Sequence, residues 1–129
     1  MYDEVLQAVI DMAESAAGVS IVTGSQPPDN SIAMTGSAAS ASIMLDIGSN
    51  ERMSVVCNAK NANQQTAIQQ LDAIHQSLTR RKDFPSAAGW QIYAIETVAS
   101  PRLLAREQNP QAQWLYGSSL LVKFNVKGI

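Results

Sequence analysis

The sequence predicts an α+β domain in which two helices pack on a mixed, mostly antiparallel sheet. Two stretches, 2–18 and 61–82, carry the three- and four-residue apolar spacing of amphipathic helices. The remaining chain alternates apolar and small polar residues between turn signals, as strands do. The predicted order is a helix, three or four short strands, a second helix and two strands. A length of 129 residues fits a single domain, 1–129.

The first helix is predicted over "YDEVLQAVIDMAESAAG". Asp3 and Glu4 stand where a helix N-terminus favours negative charge, and Gly18 suits the C-terminal stop. The alanines late in this stretch predict a close approach to a neighbouring element.

Short strands are predicted between the two helices. One lies near 19–23 and is followed by the exposed loop "GSQPPDN", whose prolines cannot donate ladder hydrogen bonds. The others are "SIAMTG", "ASIMLDIG" and "MSVVCNAK". We expect a turn or loop within 36–42, and a second turn at Gly48, Ser49 and Asn50.

The second helix is the clearest pattern in the chain. Asn61 or Asn63 is its predicted N-cap, and "TRRK" places Arg80, Arg81 and Lys82 at its C-terminus, where the helix dipole favours cations. Its predicted apolar stripe consists of Ala67, Ile68, Leu71, Ile74, His75 and Leu78.

The last two strands are predicted at 90–99 and 118–127. In the first, alternation places Trp90, Ile92 and Ala94 on one face and Tyr93 and Ile95 on the other. In the second, the residues predicted to point inward are Leu120, Val122, Phe124 and Val126.

The connection between these strands, 100–116, is longer than a hairpin needs and rich in leucine, arginine and aromatic residues. Ser100–Pro101 is able to cap and start a short helix. Leu103 and Leu104 need a surface to bury against, and Trp and Arg are enriched at interface hot spots. This arm either folds back over an edge of its own sheet or docks on the next copy of the chain.

Charge is low overall but unevenly distributed. Residues 1–60 carry seven acids and two bases, a net charge of −5, whereas 61–129 carry four acids and seven bases, a net charge of +3. This asymmetry either reflects chance or lets the acidic side of one subunit meet the basic side of the next. A net charge of −2 does not favour nucleic acid as the main partner.

Several features predict a soluble intracellular protein. Cys57 is the only cysteine, which excludes an internal disulfide and fits a reducing compartment. The start "MYDEVLQAV" lacks the basic region of a secretory signal. No apolar run approaches the roughly 20 residues needed to span a bilayer.

No catalytic, cofactor-binding or metal-binding motif is evident. A Cys57–His75 nucleophile pair is one hypothesis, but a buried inert cysteine and a core-edge histidine explain the same residues more simply. One histidine and one cysteine leave any metal to scattered carboxylates, and the glycines lack phosphate-loop spacing. Asp46 and Glu96 are interpreted as solvent-facing or interface acids. The basic residues at 80–82 form either a solvated helix end or a contact with a partner or a DNA-exposed lumen.

Two stretches, "NAKNANQQTAIQQLDAIHQSL" and "WQIYAIETVASPRLLAREQNPQAQWLYGSSLLVKFNV", resemble the small minor capsid proteins of tailed phages and prophages of Gram-positive bacteria, which in turn resemble tail terminators. The similar features are the Gln-rich helix start, the Ser-Pro-x-x-Leu turn at 100–104, Arg106–Glu107 and the Trp-Leu-Tyr opening the final strand. The resemblance runs from about residue 42 to the end, whereas "GSQPPDNSIAMTGSAAS" departs from the family pattern.

The resemblance implies a tail-terminator-like α+β fold and a structural, non-enzymatic role. Such proteins form a ring, usually hexameric, that caps the tail tube and presents a surface to the head connector. The implied partners are further copies of the chain, the tail tube protein and the connector or neck protein, with nucleic acid at most transiently in the lumen and no membrane. The implied location is the tail or neck of a virion made in the host cytoplasm.

The interface residues expected on this basis are Leu103, Leu104, Arg106 and Glu107, with Trp114 anchoring the arm and Arg80, Arg81 and Lys82 facing a partner or the lumen. Three alternatives stay open: a neck or head-completion protein that binds the connector, a small cytoplasmic enzyme with a pocket near His75 or Cys57, and an acidic-faced module that binds a host protein.

Overall fold

The computed structural model describes residues 2–23, 30–44, 48–87, 89–106 and 113–127. In chain order the elements are α1 (Tyr2–Ala17), β1 (Ile21–Val22), β2 (Ser31–Met44), β3 (Gly48–Asn61), α2 (Gln64–Thr79), β4 (Ser86–Ala87), β5 (Trp90–Arg106) and β6 (Trp114–Lys127). The strands form one sheet in the order β1-β2-β3-β6-β5-β4, parallel between β1 and β2 and antiparallel elsewhere. The predicted α+β class with a mixed, mostly antiparallel sheet is confirmed.

Both helices lie on one face of this sheet and contact each other there. Alternate residues of β3 and β6 point toward the helices and are buried. One face of each strand therefore forms part of the core. The largest fully buried side chains include Val5 and Val9 of α1, Leu71, Ile74 and Leu78 of α2, and Met34, Met53, Leu120 and Phe124 of the strands. The opposite side of the sheet carries no helix in the described parts of the chain.

The helix ends follow local chemistry. Gly18 adopts φ of 75°, which suits glycine, and its N–H donates to the Glu14 carbonyl at 2.8 Å, closing α1. Asn63 caps α2, because its side chain accepts from the N–H groups of Gln65 and Thr66 at 3.0 and 3.3 Å. Of the two predicted caps, Asn63 is therefore the N-cap of α2.

One residue of the predicted apolar stripe of α2 is exposed and not buried. Ala67, Leu71, Ile74, His75 and Leu78 are buried as expected. Ile68, however, is 38% exposed, because it lies at the outer margin of the apolar stripe, beyond the part covered by the sheet.

The prediction of a turn within 36–42 is wrong. β2 runs without a break from Ser31 to Met44 and pairs along its length with β3, with one register shift between Ala38 and Ser40. Gly48, Ser49 and Asn50, also predicted as a turn, begin β3. The long partner strand supplies hydrogen bonds that local turn propensity does not anticipate. Residues 24–29 of the predicted loop "GSQPPDN" lie outside the described residues.

A bulge in β5 overturns the predicted facing of two residues. The register with β6 shifts between Ile92 and Ala94, so that Tyr93 is an extra residue on this strand. Ile95 therefore returns to the buried side, opposite Val122, whereas Ala94 pairs with Lys123 on the outer side. Simple alternation had assigned both residues to the wrong faces.

The predicted short helix at Ser100–Pro101 is also wrong. β5 continues to Arg106, and β6 already begins at Trp114, so most of the predicted arm forms a long hairpin. Register shifts recur up to Ala105, and Pro101 is tolerated there because this part of β5 is an edge strand. The two-residue strand β4 pairs with the start of β5 and was not predicted.

Candidate assembly surface

Cys57 lies in the buried core on β3. Burial raises the pKa of its thiol to about 12, so the thiol stays protonated at neutral pH, while a contact with the Ser118 hydroxyl acts in the opposite direction. The thiolate is the nucleophilic form of cysteine. This environment gives no support to a nucleophilic role for Cys57.

His75 is buried on the sheet side of α2. Its Nδ1 lies 2.8 Å from the hydroxyl oxygen of Thr97 on β5, and its Nε2 has no hydrogen-bond partner among the described residues. Burial lowers the pKa of the imidazole below its ordinary value, and the charge of Asp72 opposes this. The geometry pairs His75 with Thr97 and fits a link between α2 and β5.

Of the two candidate strand acids, only Glu96 lies in the described part of the chain. The carboxylate of Glu96 is exposed and forms an ion pair with Lys123 at 3.0 Å. Asp46 lies outside the described residues. Within the described ranges, no three His, Cys, Asp or Glu side chains are grouped so as to hold a metal ion. In the same part of the chain, no helix is long and apolar enough to cross a membrane.

The basic residues Arg80, Arg81 and Lys82 follow the last residue of α2 and are all exposed. The Arg81 side chain donates from Nε to the Asp83 carbonyl at 3.0 Å. Arg81 and Asp11 of α1 line the same shallow groove, so this basic segment lies beside the acidic first helix.

The two leucines of the predicted arm point to opposite sides of the β5–β6 hairpin. Leu103 pairs directly with Tyr116, a residue on the helix-covered side, and paired residues share a face. Leu104 instead lies over Gly117 on the outer side. Their exposures are nearly equal, at 49% and 47%, so neither finds full burial within this chain.

The end of the hairpin is held by Arg106 and Trp114. The guanidinium carbon of Arg106 lies 4.6 Å from the centre of the Trp114 ring, which is close enough for a cation–π contact. Trp114 also packs, partly buried, against the core. Glu107, the remaining predicted interface residue, lies outside the described residues.

The outer side of the sheet forms a surface that we call the open face. Its central residues are Arg52, Ser54, Val56, Asn58 and Lys60 of β3, Gly117, Ser119, Leu121 and Lys123 of β6, and Ala99, Arg102 and Leu104 of β5. Val56, at 42% exposure, and Leu104 lie beside a shallow groove of about 170 Å³ between β3 and β5. Large side chains half exposed on a sheet are typical of surfaces that contact another molecule.

Sequence reasoning did not identify the open face. Val56 and Arg102 were not among the expected interface residues. A signal for Val56 was present in "MSVVCNAK", because strict alternation places it opposite the buried Val55 and Cys57. No comparable signal existed for Arg102, whose facing depends on bulges in β5.

Helix α1 and the open face carry opposite net charge. Helix α1 carries Asp3, Glu4, Asp11 and Glu14 and no base. The open face carries Arg52, Lys60, Arg102 and Lys123, with Glu96 as the acid paired to Lys123. The acidic helix α1 and the basic open face thus lie on opposite sides of the sheet, and Arg81 lies beside Asp11 on the helix side.

Comparison with known proteins identifies the fold. No protein family and no curated protein sequence matches this chain. The structure is similar to a chain in the solved structure of the virion of a native gene transfer agent (GTA) particle, with a TM-score of 0.61 and 16% sequence identity. The alignment covers 95% of this chain and 93% of that chain, so the two share one fold over nearly their whole length.

Proposed function

We propose that this chain is a structural protein of a phage-type virion, which self-assembles into a ring at the tail end of the head–tail junction. There it caps the tail tube and allows head attachment. The observation that carries the proposal is the near full-length similarity to a chain of a gene transfer agent virion. The resemblance of residues 42–129 to minor capsid proteins and tail terminators supports the same proposed function.

The surface chemistry supports assembly with other protein chains. A ring requires a heterologous interface, in which two different patches of each copy meet. The hairpin and the open face supply exposed apolar side chains beside arginines, and arginine is enriched at the centre of interfaces. We propose the tail tube protein and the connector or neck protein as further partners, and six as the number of copies.

The contact residues proposed for this assembly are those expected from the sequence. Leu103, Leu104, Arg106 and Glu107 contact a neighbouring subunit, and Trp114 holds the hairpin to its own sheet. The exposed segment of Arg80, Arg81 and Lys82 contacts a partner protein or faces the lumen.

The test is light scattering over a concentration series, with negative-stain images of the most concentrated sample. We expect closed rings about as wide as a tail tube. Leu104→Asp is expected to abolish the rings and to leave a folded monomer, because a charge replaces an apolar contact at the interface. The matched control is Ile68→Asp, at a leucine-sized residue of similar exposure on α2.

Rings that persist in Leu104→Asp would contradict the role of the hairpin. A wild-type chain that stays monomeric and is captured neither by isolated tails nor by filled heads would contradict the proposed function. Co-purification with filled heads instead of tails would replace the tail-end role with that of a neck or head-completion protein.

A further inference from the structure

We infer that the open face of one copy docks on the outer surface of helix α1 of a second copy. This inference rests on the proposed function and identifies the two surfaces that meet. All charged residues of α1 are acids, whereas the described side chains of the open face include four bases and one acid. Complementary charges on different sides of one molecule favour contact between successive copies and oppose contact between like sides.

The β5 edge of the sheet is a poor alternative for this contact. β5 is an edge strand beyond its short pairing with β4, and an edge with regular hydrogen-bonding groups would invite strand addition. Its register with β6, however, shifts four times between Ile92 and Ala105, and Pro101 lacks an N–H. Bulges and proline are the features that block edge-to-edge pairing. Strand addition by a second copy at the β5 edge is therefore disfavoured, and the charge complementarity points to the face of the sheet.

The open face has an apolar centre within a basic margin. Val56 and Leu104 border the groove between β3 and β5, and Arg102 lies at the same groove. The small residues Ala99 and Ser119 also line this groove. A groove of about 170 Å³ accommodates side chains of a partner helix but not its backbone, so the helix would lie across it.

The outer surface of α1 is complementary to the open face, because it is acidic and helical. Its exposed positions Asp3, Gln7, Asp11 and Ser15 recur every four residues and so form one stripe. The Gln7 amide donates to Asp11 at 2.9 Å, which orders that carboxylate on the surface. We place Asp11 opposite Arg102 of the neighbouring copy. Because each copy presents one of each surface on opposite sides, the contact is heterologous and propagates from copy to copy until it closes.

The test uses charge reversal at two exposed positions. Arg102→Glu and Asp11→Lys are each expected to weaken assembly at least tenfold, measured as the concentration at which half the chain is assembled. The chain carrying both changes is expected to recover assembly, because each acid again meets a base. Asp72→Lys, a reversal at an exposed position of α2 outside both surfaces, is the control and should assemble like the wild type. Unfolding midpoints establish that every variant is folded.

A second experiment mixes two variants, each of which keeps only one of the two surfaces. A variant with Leu104→Asp and Arg102→Glu keeps only its α1 surface, and a variant with Asp11→Lys keeps only its open face. Each alone should be monomeric, and an equimolar mixture should give a 1:1 dimer and nothing larger by analytical ultracentrifugation. A dimer of the Asp11→Lys variant alone would show that open faces meet each other, and would overturn the inference.

The outcomes separate this inference from the proposed function. Wild-type rings that persist in both single variants overturn the inference and leave the ring intact. Open filaments or dimers that respond to both charge reversals support the inference and overturn the ring. A wild type that is monomeric at every concentration overturns the contact between these two surfaces.

Discussion

Leu104 lies directly over Gly117 on the open face. A β-carbon built at Gly117 would stand 2.5 Å from Leu104 Cδ1 and 2.9 Å from Asn58 Oδ1, which is closer than real contacts allow. The absence of a side chain at 117 is what lets the bulged end of β5 fold down onto β6. The same relationship places a half-exposed leucine where a neighbouring copy is proposed to dock.

Gly117→Ala is therefore expected to lower the free energy of unfolding by about 1–2 kcal/mol, because a methyl group is forced into occupied space. Chemical denaturation measures this. In the background of Leu104→Ala, the same change should cost less, since the nearest contact is gone. Gly89→Ala is the control, because a β-carbon there meets nothing within 4 Å. Equal costs in both backgrounds would contradict the contact.

The buried His75 predicts a pH-dependent stability. Its folded pKa lies below the ordinary 6.5, so as the pH falls through this range the unfolded state binds the proton first. The free energy of unfolding therefore decreases toward acid, by at most about 1.4 kcal/mol per pH unit from this group.

Denaturation at several pH values between 7 and 5 tests this. His75→Gln still offers a polar group to Thr97 but does not titrate, so its stability should depend less on pH than that of the wild type. Identical slopes in the two proteins would show that His75 is not responsible.

The thiol of Cys57 is expected to be inert in the folded protein. It is buried and has a pKa of about 12, so at pH 8 both access and the thiolate are lacking. A chromogenic disulfide reagent should react quickly only after denaturant is added. Val98→Cys supplies the control, because position 98 is 63% exposed and its thiol should react at once. Rapid modification of the wild type would contradict the buried placement.

The cap of α2 predicts a graded response at position 63. Asn63→Ala removes the acceptor for two backbone N–H groups and is expected to cost about 1 kcal/mol of unfolding free energy. Asn63→Asp keeps an acceptor and adds a charge that the helix N-terminus favours, so it should cost little or stabilise. A loss of equal size in both variants would mean that the cap is not the cause.

The sequence was sufficient to predict an element where a regular apolar spacing is bounded by residues that begin and end a helix or strand. The span of α1, with its end at Gly18, and that of α2 followed from apolar spacing and terminal residues. The inward facing of Leu120, Val122 and Phe124 followed from strict alternation in β6, a central strand without register shifts against β3.

Prediction was weaker where the backbone departs from a regular period. Each bulge in β5 inserts a residue and exchanges the two faces, so alternation placed Ile95 on the face opposite Ile92, although both are buried on the same side. Ser100–Pro101 was assigned to a helix from its capping residues, although β5 continues through it. Composition near 36–42 favoured a turn, but pairing with β3 keeps the chain extended. These outcomes depend on partners far away in the chain, which local propensity does not contain.

The division between sequence and structure also holds for function. By itself the sequence determined the fold class, the two helices, the buried character of Cys57 and His75, and the unequal charge of the two halves of the chain. Only the tertiary structure decided that α1 and the open face lie on opposite sides, and that Leu103 and Leu104 point away from each other. The physical reason is that surfaces arise from strand order and register, which bring distant residues together, and no local pattern encodes either.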